Sequence, residues 1–268
     1  MNEPKKRVRL DQLLVEKGMA ESRTKAQALI QAGEVVVSDH RIDKPGHQVD
    51  PDSEIRLKHE NQDVSRGAGK LRTALTHFKF SISGRVAADL GASTGGFTQV
   101  LLEQGAKEVH AFDVGYGLLH DRLRKDPRVI VHDRTNVRHL EGTEMPPADV
   151  VTMDLSFIGL ELVLPAALRI ASPECDFVAL VKPQFEAGRE AVGKGGIVRD
   201  KKTIRNVLEH HLAILVDYEC TCFCLVPSEI KGKRGNQEFL SWFGRSAKEI
   251  EPFGIENLDQ LIRVTFKS

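Results

Sequence analysis

Between residues 71 and 182, short apolar runs alternate with stretches whose apolar residues recur at helical spacing, and no other feature restricts the fold as tightly. Leu71, Ala74, Leu75 and Phe78 mark a helix face, Val86 to Leu90 a strand, Phe97 to Gln104 a helix stopped by Gly105, and Val109 to Asp113 another strand. Val129–Val131, Val150–Asp154 and Phe177–Lys182 continue the series, with a helix carrying Leu160, Val163, Leu164, Ala167 and Leu168 before the last of them. Strands that are apolar throughout need cover on both faces, which helices between parallel strands supply. The fold class is therefore α/β, doubly wound. Tyr218–Val226 and Glu238–Phe243 are joined by the Gly/Lys-rich loop Pro227 to Gln237, too short for a crossover helix, so they form an antiparallel edge hairpin.

Residues 1–60 follow a different pattern. Leu10, Leu13 and Leu14, then Ala26, Leu29 and Ile30 after an N-cap at Ser22, predict two short helices, the second closed by Gly33. Val35-Val36-Val37, Ile42, Val49 and Ile55, separated by turn residues, predict a small sheet. We expect one domain over 1–60, a linker over 61–68 and a second domain over 69–268. The whole chain of 268 residues has 38 basic and 38 acidic residues, so only local charge can favour a polyanion. Residues 1–25 hold seven bases against four acids, and 26–60 reverse this with four against seven, so a basic surface on this unit must be one-sided.

No apolar run reaches the ~20 residues of a membrane span, and the basic amino terminus has no apolar stretch behind it; a cytoplasmic protein is expected. Cys220, Cys222 and Cys224 alternate on a β-rich run and should point one way, as buried small residues; no metal site is expected.

Asp89-Leu90-Gly91-Ala92-Ser93-Thr94-Gly95-Gly96-Phe97 joins the first strand to its helix. Its glycines permit close backbone approach to a ligand, but their spacing is not that of a dinucleotide loop, and the Gly-Lys-Ser/Thr of a phosphate loop is absent. A ligand with a cationic group and no pyrophosphate fits better, with Asp113 at the next strand end placed for ribose hydroxyls. Asp154 and Lys182 also end strands, Lys70 opens the helix before the first strand, and Glu238 starts the hairpin's second arm. Two lysines and two carboxylates around one pocket suit removal of a proton from a sugar hydroxyl, since a neighbouring cation lowers a lysine's pKa. Spacing alone does not show that the four meet.

The five parallel strands plus hairpin resemble the Rossmann-like class I S-adenosylmethionine-dependent methyltransferases. Arg9-Leu10-Asp11, Ser22-Arg23-Thr24-Lys25-Ala26, Ile30-Gln31-Ala32-Gly33 and Lys44-Pro45-Gly46 resemble the α+β RNA-binding fold of ribosomal protein uS4. Val64 to Gly67, Leu90 to Thr98, Asp113 to Gly117, Arg134 to Arg138, Asp154 to Ile158, Val181 to Glu186, and Lys231-Gly232 with Gly235 to Phe239 extend the likeness. In this order they resemble the TlyA or hemolysin A family, a uS4-like domain fused to an FtsJ-like methyltransferase domain. The resemblance implies a ribosomal RNA 2′-O-methyltransferase, acting on cytidine ribose in assembled ribosomal subunits and using S-adenosylmethionine. It implies a catalytic tetrad of Lys70, Asp154, Lys182 as base, and Glu238.

Cofactor contacts are expected from Asp89, Gly91, Ala92, Ser93, Thr94, Gly95, Gly96, Phe97, Asp113, Val114 and Asp154. Asp133 and Asn136 lie where such folds hold adenine, or are simply loop caps. RNA contacts are expected from Arg7, Arg9, Ser22, Arg23, Lys25 and Arg66, and from Arg189 and Lys194 in the glycine-rich stretch Gly188 to Gly196, a candidate phosphate-gripping loop or a plain connector. Phe157 and Phe185 either stack on a base or pack in the core. His210 and His211 are expected at the surface. Two other readings compete: a non-catalytic RNA-binding factor with a vestigial fold, and the lytic activity that the family name suggests.

Overall fold

The computed structural model describes residues 7–38, 40–57, 63–193 and 195–266. The chain divides into two compact units, 1–62 and 63–268.

In the first unit, β1 (Val8–Arg9) pairs with β4 (Gln48–Val49), while β2 (Val35–Val37) lies between β3 (His40–Ile42) and β5 (Ile55–Leu57), every pair antiparallel. Helices α1 (Leu10–Glu16) and α2 (Arg23–Gln31) bury Leu10, Leu13, Leu14, Ala26 and Ile30 against Val35, Val37 and Val49. Ser22 caps α2, its side chain accepting from the Lys25 amide at 3.2 Å.

The second unit begins with α3 (Arg66–Leu75), followed by β6 (Val86–Leu90), α4 (Gly96–Glu103), β7 (Glu108–Phe112), α5 (Asp121–Arg124), β8 (Val129–His132) and β9 (Ala148–Met153). Then come α6 (Leu160–Arg169), β10 (Ala171–Val181), α7 (Pro183–Glu186), α8 (Lys201–Asp217), β11 (Thr221–Pro227), β12 (Phe239–Gly244) and α9 (Leu258–Thr265). Seven strands form one sheet in the order β8-β7-β6-β9-β10-β12-β11. The first five are parallel and β12 runs against both its neighbours, as the short loop before it requires. Because β6 adjoins both β7 and β9, the order reverses there, and a crevice opens at the carboxyl ends of β6 and β9.

One face of the sheet packs under α3 and α4 through Leu71, Phe97, Val100, Val178 and Trp242. The other packs under α6, α8 and α9 through Val163, Leu164, Leu208, Phe177 and Phe243.

Three local expectations are corrected. Residues 65–68, expected as linker, are the N-cap and first turn of α3: Ser65 accepts from the Gly67 amide at 3.2 Å, and Lys70 sits mid-helix rather than opening it. The three cysteines do not share a face. The pairing of β11 with β12 shifts register between Cys222 and Cys224, and this bulge leaves Cys222 in the core under α8 while Cys224 packs with Trp242 on the other side. His211 is fully buried, unlike the exposed His210, because it falls on the α8 stripe of Ile204, Val207, Leu208 and Leu215.

Candidate active site

The middle of α3, the ends of β9 and β10 and the residue before β12 bring Lys70, Asp154, Lys182 and Glu238 around one cavity of about 340 Å³, also lined by the turn after β6, by Ser65, Arg66 and Gly67, and by Ser156, Gln184 and Phe185. The charges form two matched pairs. Lys70 reaches Glu238 through a short ion pair between nearly buried groups. Lys182 Nζ lies 2.5 Å from Asp154 Oδ1 and donates to Ser156 Oγ at 3.2 Å. Gln184 Nε2 donates to the other Glu238 oxygen at 2.8 Å. Within each pair the charges cancel, which allows four ionisable groups to occupy a poorly solvated cleft.

Two glycines make this approach possible. At Gly91, φ is +85° and a Cβ would lie 2.9 Å from the Asp154 carbonyl oxygen, so only glycine lets the turn lie against β9. A Cβ at Gly232 would collide with Glu238 Oε1, displacing the carboxylate from Lys70.

Gly91, Ala92, Ser93, Thr94, Gly96 and Phe97 line the cavity as expected for a ligand-holding turn. Gly95 instead caps α4 in a left-handed conformation. Asp89 belongs to the wall, yet it is fully buried and its oxygens are spent: Oδ2 accepts from Thr98 N and Oγ1 at 2.8 and 2.6 Å, and Oδ1 from Thr152 Oγ1 at 2.9 Å. Burial pushes this carboxyl up to about 6, against the pull of those donors. It ties the turn to β9 and has no exposed edge for a cationic ligand. Asp113 ties the turn from the other side, accepting from Ser93 N at 2.9 Å and Gly115 N at 2.7 Å.

Other expected contacts fall outside this cavity. Val114 is exposed, Asp133 pairs with Arg124 at 3.1 Å, and Asn136 caps the short turn of Val137–His139 by accepting from Arg138 N. Asn136 thus serves as a loop cap.

Arg66 is exposed at the cavity mouth. In the first unit Arg7 and Lys25 are exposed, whereas Arg9 and Arg23 both bind Asp11, at 2.9 and 3.0 Å. Lys194 and the Arg189 side chain lie outside the described residues. Phe157 is 87% exposed with φ +66°, and its ring lies 4.6 Å from that of Phe185. A non-glycine residue in that region costs about 1–3 kcal/mol and is tolerated mainly at functional sites. Both rings border an adjoining cavity of about 760 Å³ with Gln184, Arg234 and Asn236.

Ser65, Ser156, Gln184 and Gly232 were not singled out from the sequence. Each stands in or beside a quoted block, but an isolated serine or glutamine carries no mark of the carboxylate or amine it will meet after folding.

Among known proteins, the FtsJ-like methyltransferase pattern matches residues 64–245 and the S4 domain pattern residues 8–55. A candidate rRNA methyltransferase of Bacillus subtilis, YqxC, is 45% identical over 88% of this chain and 85% of its own. The 16S/23S rRNA (cytidine-2′-O)-methyltransferase TlyA of Mycobacterium tuberculosis is 42% identical over 88% of this chain and 90% of its own. A solved structure of a candidate hemolysin from Streptococcus thermophilus superposes with a TM-score of 0.74 at 38% identity, covering 98% of this chain and 97% of that one. The family pattern and the sheet order mark the second unit as a methyltransferase of the S-adenosylmethionine-dependent fold. This chain belongs to the FtsJ-like methyltransferase family, in its S4-domain-bearing TlyA and hemolysin A branch.

Proposed function

We propose that this protein is a ribosomal RNA (cytidine-2′-O)-methyltransferase that uses S-adenosylmethionine and acts on assembled ribosomal subunits. The observation that carries the reading is the convergence of Lys70, Asp154, Lys182 and Glu238 beside a glycine-lined turn. The curated activity of the tuberculosis relative, at 42% identity, points the same way.

The turn fits a compact sulfonium cofactor: it lines the cavity beside the Asp154 carboxylate, Asp113 fastens it through the Ser93 and Gly115 amides, and nothing in it resembles a diphosphate cradle. When bound there, S-adenosylmethionine supplies an electrophilic methyl group on positively charged sulfur. Lys182 would be the base that takes the proton of the ribose 2′-hydroxyl at its Nζ, the oxygen forming its bond to carbon as the carbon–sulfur bond breaks and the neutral thioether departs. Asp154 and Ser156 hold the Lys182 amine in place. Glu238 and Gln184 hold Lys70 where its charge stabilises the oxygen that loses the proton. Phe157, displayed at the rim, is suited to stacking on the target base.

RNA rather than DNA is selected because the reacting hydroxyl exists only in RNA. The first unit adds affinity through Arg7, Lys25 and the outer edges of Arg9 and Arg23, and Arg66 meets phosphate at the cavity mouth. A lytic activity draws no support from the described residues, among which no helix is long and apolar enough to cross a membrane. A vestigial fold is disfavoured by the intact pairs.

The test incubates labelled S-adenosylmethionine with ribosomal subunits and either the wild-type protein or Lys182→Ala. Label on the 2′-oxygen of a cytidine in the first reaction only is the expected result; equal label in both removes Lys182 as base. Calorimetry with cofactor alone separates an enzyme, which releases heat, from a vestige, which does not.

A further inference from the structure

Behind the strand end that carries Lys182 lies a small space of about 20 Å³, bounded by Lys182, Glu186 and His211 among apolar side chains including Met153, Leu160 and Val181. It has room for one water molecule. Neither ring nitrogen of the fully buried His211 has a partner among the described residues, and burial depresses its pKa to about 4, so the ring is neutral at physiological pH. Glu186 Oε1 accepts from the Lys182 backbone N–H at 3.3 Å, which locks the turn that places the lysine. Burial pushes the Glu186 carboxyl up to about 7, opposed by the Lys182 N–H and the Lys182 charge and reinforced by Glu161. The charged and titratable groups around it are thus Lys182 on its own segment, Glu161 on α6, and His211 on α8, with His210 turned outward 3.6 Å from Glu161.

Lys182 consequently has two acidic neighbours of different character. Asp154 faces its amine directly, and Glu186 sits beneath its backbone. A second full negative charge beside Asp154 would bind the ammonium more firmly than one alone. A neutral carboxyl at Glu186 keeps the hydrogen bond without adding the second charge.

We propose that Glu186 is a positioning residue for Lys182: from the pocket it shares with His211 it fastens, through the lysine's own backbone N–H, the strand end that carries the amine, and its carboxyl bears on how readily that amine gives up its proton. The inference rests on Lys182 being the base of the proposed reaction. It is tested by measuring acetylation of Lys182 with acetic anhydride across pH, read by peptide mass spectrometry, in wild type and Glu186→Gln. Methyl transfer to ribosomal subunits is followed in parallel. The Glu186→Gln change keeps the shape of the side chain and removes its charge for good, so the midpoint of the Lys182 curve should fall by at least about half a pH unit. The transfer rate of this variant relative to wild type should rise about three-fold or more between about pH 6.5 and about 8.5. Glu186→Ala, which loses the hydrogen bond as well, should transfer more slowly than Glu186→Gln at every pH. Superimposable Lys182 curves for wild type and Glu186→Gln overturn the proposal. A midpoint that moves in a protein unable to transfer methyl overturns the methyltransferase reading and leaves the coupling between the two residues intact.

Discussion

Asp11 in the first unit and Asp89 in the second are both hidden from solvent, Asp11 under two partly exposed arginines and Asp89 deep in the core, and they hold their protons very differently. Asp11 is gripped by Arg9, Gln27 and Arg23, and the arginine hydrogen bond leads in holding its carboxyl well below the usual range. Asp89 meets only hydroxyls and a backbone amide, and burial wins, lifting it to about 6. Depth of burial sets the cost of a charge and the charge of the donors offsets it, and both differ between these two aspartates. In the first unit Arg9 and Arg23 close around the single carboxylate of Asp11, while Arg7 and Lys25 stay exposed. In the second, Lys70 and Lys182 are matched one to one with carboxylates while still bordering open space, which leaves them available for chemistry.

The sharpest test of this contrast is Lys182→Ala, expected to lower methyl transfer by about 10²–10⁴-fold, the usual worth of a general base, while leaving RNA affinity measured by filter binding within about two-fold. An equal loss of affinity would mean that the second unit's charges bind rather than react. Next, Gly232→Ala should push Glu238 off Lys70 and cost about 10–100-fold in the turnover rate, with calorimetric cofactor affinity little changed, because the clash is with the tetrad and not the turn.

Asp11→Asn should destabilise the protein by about 1–3 kcal/mol in urea unfolding at neutral pH, with the methyl-transfer rate at saturating subunits retained. The sign of its pH dependence follows from the lowered pKa. Asp11 contributes its full stabilisation above the unfolded value of about 4 and loses it as pH falls toward the native value. The gap between wild type and Asp11→Asn should therefore narrow below about pH 4. Asp89 runs the other way, its contribution declining as pH rises from about 4 through about 6. The smallest expected effect is that of Thr98→Val, about 1 kcal/mol of stability, from removing one of the donors that hold the Asp89 carboxylate. A larger loss would place Asp89 among the strongly charge-dependent groups and weaken the contrast with Asp11.

Much of the second unit was legible because its strands are continuous apolar runs. β6 spans Val86–Leu90 as expected, and the remaining parallel strands agree within a few residues except β10, which starts earlier at Ala171. The antiparallel hairpin followed from loop length alone. The tetrad was also found, but through resemblance to a family: 168 residues separate Lys70 from Glu238, and no local rule spans such a distance.

Other features resisted reading for identifiable reasons. A single bulge in β11 turned Cys224 to the opposite face, and a bulge leaves no trace in an alternating run of cysteines. His211 was expected at the surface with His210, yet it continues the apolar stripe of α8, a signal present in the sequence. Asp89 stands at a strand end like Asp154, and only the placement of Thr98 and Thr152 separates a tether from a working acid.

The sequence by itself determined the class of fold, the two-part organisation and the glycine turn, because hydrophobic period, loop length and backbone freedom act over neighbouring residues. Tertiary structure alone decided which carboxylate pairs with which amine, which acids are spent inside and which border a cavity, and that Glu186 lies beneath Lys182. Those outcomes depend on distances of a few ångströms between segments far apart in the chain, where Coulomb energy and desolvation are settled only after packing is complete.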